Sequence, residues 1–80
     1  MAKKILIVED EQNLVNNLAE KLRAEGYSVM TALDGEEGWN KIRNDKPELV
    51  ILDIMLPGLD GLSLCRMVRN EPTTKHIRII

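Results

Sequence analysis

The chain has one cysteine, Cys65, so it forms no internal disulfide, and a reducing compartment is the simple reading. No apolar run approaches the roughly 18 residues of a membrane span. Met1-Ala2-Lys3-Lys4 followed by Ile5 to Val8 is basic then apolar, but the run is too short for a secretory signal and ends in Glu9-Asp10-Glu11. Charge of one sign is also lacking. Acidic and basic residues are interspersed at a net charge of -2, which leaves no basic face for nucleic acid. Internal repeats, linkers and low-complexity tracts are absent. A cytoplasmic location is expected.

What is present is a chain of 80 residues, 44% of them hydrophobic, enough for one domain and too few for two. Ile5-Leu6-Ile7-Val8 is continuously apolar and β-branched, as expected of a parallel strand buried on both faces. After a polar turn from Glu9 to Asn13, Leu14, Val15, Leu18, Ala19 and Leu22 recur at helical spacing, and Gly26 is the stop. Ser28 to Ala32 is a second strand. Asp34 caps the next helix with Glu37 three residues on, and Trp39 and Ile42 supply its apolar face. Gly38 inside that helix costs about 1 kcal/mol relative to Ala, which makes it the least secure element. Leu49-Val50-Ile51-Leu52 is a third strand, ending at Asp53. Pro57 to Gly61 is a turn-rich loop, and Leu64, Cys65 and Val68 mark a third helix, stopped near Pro72. Ile77 to Ile80 begin a fourth strand.

Alternation of strand and helix implies an α/β fold with a parallel sheet and right-handed crossovers. In the flavodoxin-like order the first and third strands are neighbours, about 4.8 Å apart, and functional groups gather at the carboxyl ends of the strands. Glu9 and Asp10 end the first strand and Asp53 ends the third, so the fold is expected to bring three carboxylates into one pocket.

Crowded carboxylates repel, and one holds a proton unless a cation lies between them. Magnesium suits such a place: it prefers oxygen ligands in octahedral geometry and keeps several waters. A carboxylate there can be the nucleophile in phosphoryl transfer, forming an aspartyl phosphate. The plainer reading is that each acid caps a helix or is a solvated loop residue, with Glu9 and Asp10 favouring the first helix through its dipole. Two strands delivering acid at the same end speak for the pocket.

The segments Ile5-Leu6-Ile7-Val8-Glu9-Asp10-Glu11 and Leu49-Val50-Ile51-Leu52-Asp53-Ile54-Met55-Leu56-Pro57-Gly58-Leu59-Asp60-Gly61, with Ala32-Leu33-Asp34-Gly35-Glu36-Glu37, resemble the receiver domain of two-component response regulators over essentially the whole chain. The resemblance implies a CheY-like three-layer sheet of strand order 2-1-3-4. It implies that Asp53 is the phosphoacceptor. Asp10, Asp53 and the main-chain carbonyl of Met55 would bind Mg2+ (or Mn2+), and Glu9, where many relatives have Asp, would act through a metal-bound water. The implied donor is a phosphohistidine on a sensor histidine kinase. The wording of the second segment is most similar to the winged-helix transcription regulators of the OmpR/PhoB class, so a DNA-binding output is implied outside this stretch. A domain of this kind is a phosphoacceptor assisting its own phosphorylation and dephosphorylation and not an enzyme.

Receivers also carry a Ser or Thr after the fourth strand, a Lys after the fifth and an aromatic residue in the fifth. All three would lie beyond Ile80, as would the fifth strand and the last two helices. Thr74 and Lys75 sit at the wrong end of the last strand to substitute. Residues 1–80 therefore resemble the N-terminal portion of a receiver, a fragment or truncation, for which slow or unstable phosphorylation is expected. Without the fifth helix, apolar surface over the Ile5–Val8 and Leu49–Leu52 strands would be uncovered and the fourth strand would be an open edge. Self-association as a homo-oligomer is expected from this, and an inert scaffold that self-associates is the alternative function.

Other residues have plainer readings. His76 is a solvated loop residue, Cys65 a buried structural thiol, and Trp39 a core or helix–sheet packing residue. Arg66, Arg69, Lys75 and Arg78 form a solvated basic end, and Met55 matters for its backbone, its side chain facing the loop. Among rival functions, a haloacid-dehalogenase-type phosphatase wants a second Asp where Met55 stands. A flavodoxin-like cofactor site wants a Gly/Ser/Thr-rich loop where Glu9-Asp10-Glu11 stands, and a cobalamin site wants a His near the first helix.

Overall fold

The computed structural model describes residues 2–80. The strands are β1 (Lys4–Val8), β2 (Ser28–Ala32), β3 (Leu49–Leu52) and β4 (Arg78–Ile79). They alternate with helices α1 (Gln12–Ala24), α2 (Gly35–Asp45) and α3 (Gly61–Asn70). The sheet is parallel throughout, in the order β2-β1-β3-β4. In β1, Ile5, Ile7 and Val8 pair with Val29, Thr31 and Ala32 on one side and with Leu49, Ile51 and Leu52 on the other. β4 continues for one more rung, with the Ile80 N–H donating to the Val50 carbonyl and the Leu52 N–H to the Ile80 carbonyl.

The continuous apolar run of β1 reflects two covered faces. Leu6 and Val8, with Val50, point toward α2 and α3 and meet Ile42, Leu56, Leu64, Val68 and Ile77 in the larger core. Ile7 and Val29 point the other way, toward Val15 and Ala19 of α1. Leu14, at the edge of that helical stripe, is 49% exposed.

Each helix begins where a carboxylate takes up free backbone N–H groups. Glu11 accepts from Asn13 and Leu14 at 3.2 Å each, Asp34 from Glu37 at 2.8 Å, and Asp60 from Ser63 at 2.8 Å. Glu37 returns the bond to the Leu33 N–H, one residue earlier than a capping box would have it, at 3.0 Å. α1 ends in a Schellman turn: Gly26, at φ 96°, donates to Arg23 and Tyr27 donates to Leu22.

Gly38 lies at the contact between α2 and β1. A Cβ there would lie 3.0 and 3.1 Å from the two Val8 methyls, so the missing side chain lets α2 approach β1. The expected uncovering of the sheet is confined to one flank. Ile5 through Val8 are all buried, because β1 lies between β2 and β3 and under helices on both sides. The open part is a groove of about 690 Å³ with Leu49, Ile51 and the exposed Ile80 on its floor.

Some side chains differ from expectation, while Trp39 and His76 meet it. Cys65 is only half-buried, being at the margin of the α3 stripe. The Met55 side chain is 83% exposed and does not fold onto its loop. Arg69 is structural: its guanidinium donates to the carbonyls of Lys75 at 3.1 Å and Ile77 at 2.7 Å. Trp39 packs against the larger core with the Arg43 guanidinium 5.5 Å from its ring centre. His76 is exposed at the groove rim. No helix among the described residues is long and apolar enough to cross a membrane.

Candidate metal and phosphoacceptor site

Parallel register sets the site. Val8 is paired with Leu52, so the residues that follow, Glu9 and Asp53, leave the sheet at the same level. The backbone fixes both. The Asp53 N–H donates to the Val8 carbonyl and the Glu9 N–H to the Ala32 carbonyl, each at 3.0 Å. Glu9, Asp10 and Asp53 each offer a carboxylate oxygen, and those oxygens all lie within 4.8 Å of one another. Glu9 and Asp53 are half-buried and Asp10 is exposed.

Local hydrogen bonds orient two of the three. Asp53 Oδ1 accepts the Met55 N–H at 3.0 Å, and Glu9 Oε2 accepts the Glu11 N–H at 3.1 Å. The Glu9 carboxyl is held above the usual carboxylate range, first by partial burial and then by Asp10 and Asp53, against the opposing Glu11 N–H. Clustered hard oxygens with an unrelieved negative charge fit a divalent cation such as Mg2+. A notch of about 160 Å³ adjoins them, lined in part by Glu9, Leu14, Leu52 and Asp53.

All three acids singled out from the sequence meet here. Met55 follows two residues beyond Asp53, with its peptide tied back to the Asp53 carboxylate. The role of Glu11 was not legible: it caps α1 and also supplies the N–H that holds Glu9. The signal was its place just ahead of the apolar helical stripe. Asp60 is likewise the cap of α3 and takes no part in the cluster. Its carboxyl is held low, first by the Ser63 N–H.

A family model described as the response regulator receiver domain matches residues 5–80. The alkaline phosphatase synthesis transcriptional regulatory protein PhoP of Bacillus subtilis (strain 168) is 48% identical over 71 residues, 89% of this chain and 30% of that protein. The chemotaxis response regulator CheY4 of Vibrio cholerae superposes with a TM-score of 0.94 at 28% identity, over 99% of this chain and 66% of that one. The response regulator TrrA of Thermotoga maritima, in complex with Mg(2+)-BeF, superposes at 0.82 with 43% identity, over 88% of this chain and 61% of that one. The chain thus spans about a third of the curated relative's length and under two thirds of those of Vibrio and Thermotoga.

Proposed function

This chain belongs to the response regulator receiver domain family, and on that premise we propose that Asp53 accepts a phosphoryl group from a phosphohistidine of a sensor histidine kinase. The observation that supports this most is the convergence of Glu9, Asp10 and Asp53 within 4.8 Å at the carboxyl ends of β1 and β3. An Asp53 carboxylate oxygen attacks phosphorus. The phosphorus–nitrogen bond to the donor imidazole breaks, and its electron pair goes to the departing nitrogen. Asp10, Asp53 and the Met55 carbonyl would hold Mg2+, or Mn2+ in its place, with Glu9 acting at one water's remove. When bound, the cation supplies charge neutralisation for the transferring phosphoryl oxygens. The Met55 N–H and the Val8 carbonyl keep Asp53 in place meanwhile. That the similar receiver TrrA is found in complex with Mg(2+)-BeF supports a cation in this reading.

In this reading the domain is a phosphoacceptor that assists its own phosphorylation and dephosphorylation, and not a turnover enzyme. It works in the cytoplasm. It switches an output outside this stretch, DNA-binding by analogy with the transcriptional regulator PhoP. Mg2+ titration followed by the amide signals of Asp10, Asp53 and Met55 tests the cation site. Saturable shifts that vanish in Asp53→Asn support it, and shifts unchanged in Asp53→Asn refute it.

A second reading concerns the 80-residue polypeptide as a body in solution. The open groove over Leu49, Ile51 and Ile80, beside the β4 edge, favours self-association into a homo-oligomer. Sedimentation at increasing concentration tests this, and a monomer throughout refutes it.

A further inference from the structure

We propose that Gly35 is a positioning residue for the acidic site: its missing side chain seats the β3–α3 loop on the first turn of α2, and that seat fixes the Met55 peptide and the Asp53 carboxylate. The inference rests on the reading of Asp53 and Met55 given above.

Gly35 is buried at the first position of α2, directly after the Asp34 cap. A Cβ there would overlap the Leu59 carbonyl oxygen and lie 2.9 Å from both the Leu59 carbonyl carbon and its Cβ. Two of these three atoms are backbone, so no side-chain rotation relieves the overlap. The conformation itself is ordinary for a helix start, since Gly35 is not among the residues of positive φ. Room for the loop, and not freedom of φ, is therefore what requires glycine at this position.

The loop has few other fixings. Its far end is closed on its start, with the Gly61 N–H donating to the Ile54 carbonyl at 3.1 Å. Gly61 packs there so closely that a Cβ would come within 2.6 Å of Ile54 Cα and 2.8 Å of the Asp53 carbonyl oxygen. Leu56 is buried in the larger core, and half-buried Leu59 packs against it. The Ile54 and Met55 side chains are 54% and 83% exposed, so they anchor nothing. The Met55 N–H is tied only to Asp53 Oδ1. Buried Leu56 holds the direct route along the chain, so a push on Leu59 reaches the Met55 N–H through the closed end of the loop: Gly61, two residues beyond Leu59, donates to the Ile54 carbonyl, which belongs to the same peptide unit as the Met55 N–H. The Met55 N–H makes the hydrogen bond to Asp53, and the carbonyl of the same residue, in the next peptide unit, is the one proposed as a cation ligand. Partners one step removed from a metal typically alter its affinity by about 10–100-fold when disturbed.

The test compares Gly35→Ala with Gly26→Ala. Gly26 lies at the distant end of α1 with nothing within 4 Å of a Cβ, and its φ of 96° makes alanine strained there. Gly26→Ala therefore lowers stability without touching the loop. The expected result for Gly35→Ala is that the Met55 and Gly61 amide signals move in the absence of any cation, that Gly61 exchanges faster, and that Mg2+ binds about tenfold more weakly. Gly26→Ala keeps the wild-type loop signals and Mg2+ affinity. A folded Gly35→Ala protein with unmoved loop signals overturns the proposal, and so do equal effects in the two variants. If Gly35→Ala does not fold, Leu59→Gly decides: it removes the Leu59 Cβ, the one atom of the seat that a substitution on the loop side can take away, without overpacking. Moved Met55 and Gly61 signals then support the proposal, and unmoved ones overturn it. A wild-type protein that binds no Mg2+ defeats the cation reading alone, because the cation-free signals still decide the role of Gly35.

Discussion

Gly38 of α2 and Val8 of β1 are in contact with no room for a methyl between them, a Cβ on Gly38 falling 3.0 Å from Val8 Cγ2. The pair sets how closely the helix lies on the strand whose end carries Glu9 and Asp10. Alanine at 38 gains about 1 kcal/mol of helix propensity and loses roughly 1–3 kcal/mol to overpacking, because fully buried Val8 has nowhere to move. Gly38→Ala is expected to destabilise by about 1 kcal/mol in urea unfolding followed by Trp39 fluorescence. Combined with Val8→Ala it should cost less than the sum of the two single changes.

Thr74 is the buried polar side chain of the core, and its hydroxyl donates to the Val68 carbonyl near the end of α3 at 2.9 Å. Thr74→Val keeps the shape but orphans that carbonyl, at about 1–3 kcal/mol. Thr74→Ser keeps the bond and loses one methyl. Chemical unfolding should rank the valine variant below the wild type, and amide exchange should show the last turn of α3 opening first.

The Glu37 carboxyl is held below its ordinary value, first by the Leu33 N–H and then by Lys41, whose ammonium lies 3.1 Å away. A carboxyl lowered in the folded state stabilises above its unfolded value of 4.5, and that contribution is lost as pH falls through the folded value. Both partners are more than a third exposed or nearly so, so the effect is small, about 0.5 kcal/mol. Glu37→Gln should therefore lower stability at pH 7 and not at pH 3. Equal losses at both pH values would contradict the assignment.

Glu9, Asp10 and Asp53 repel one another in the absence of a cation. Glu9→Gln removes one of the three charges and should raise the thermal midpoint measured in a chelator at pH 7. Added Mg2+ should raise the wild-type midpoint more than that of the variant, because the cation relieves repulsion that the variant already lacks.

The sheet was legible because its strands announce themselves. Ile5 to Val8 is apolar throughout, which fits burial on both faces; Leu49 to Leu52 is equally apolar, although only Val50 of it is buried; and Asp34 with Glu37 marks a helix start by its spacing. The three acids followed from strand order alone. What lay hidden depends on distances between elements far apart in the chain. Gly38 counts as a helix breaker until Val8 is placed beneath it, and Gly35 counts as part of a turn until Leu59 arrives from 24 residues on. Thr74 sits in a turn-forming stretch with Pro72 and Lys75, where a hydroxyl is ordinary, and only the packed α3 shows it to be buried. Cys65 and Leu14 share apolar stripes with buried neighbours, but a stripe does not state its own width, and both lie at its margin.

The most direct test of the account locates the phosphoryl group itself. The protein is exposed to a small phosphoramidate donor with and without Mg2+, any acyl phosphate is trapped by borohydride reduction, and the modified residue is found by peptide mass analysis. Reduction captures even a short-lived species, so slow or unstable labelling does not hide it. The account predicts modification of Asp53, dependent on Mg2+ and absent from Asp53→Asn and strongly reduced in Asp10→Asn. Modification at another residue, or equal modification of Asp53 without the cation, would contradict it.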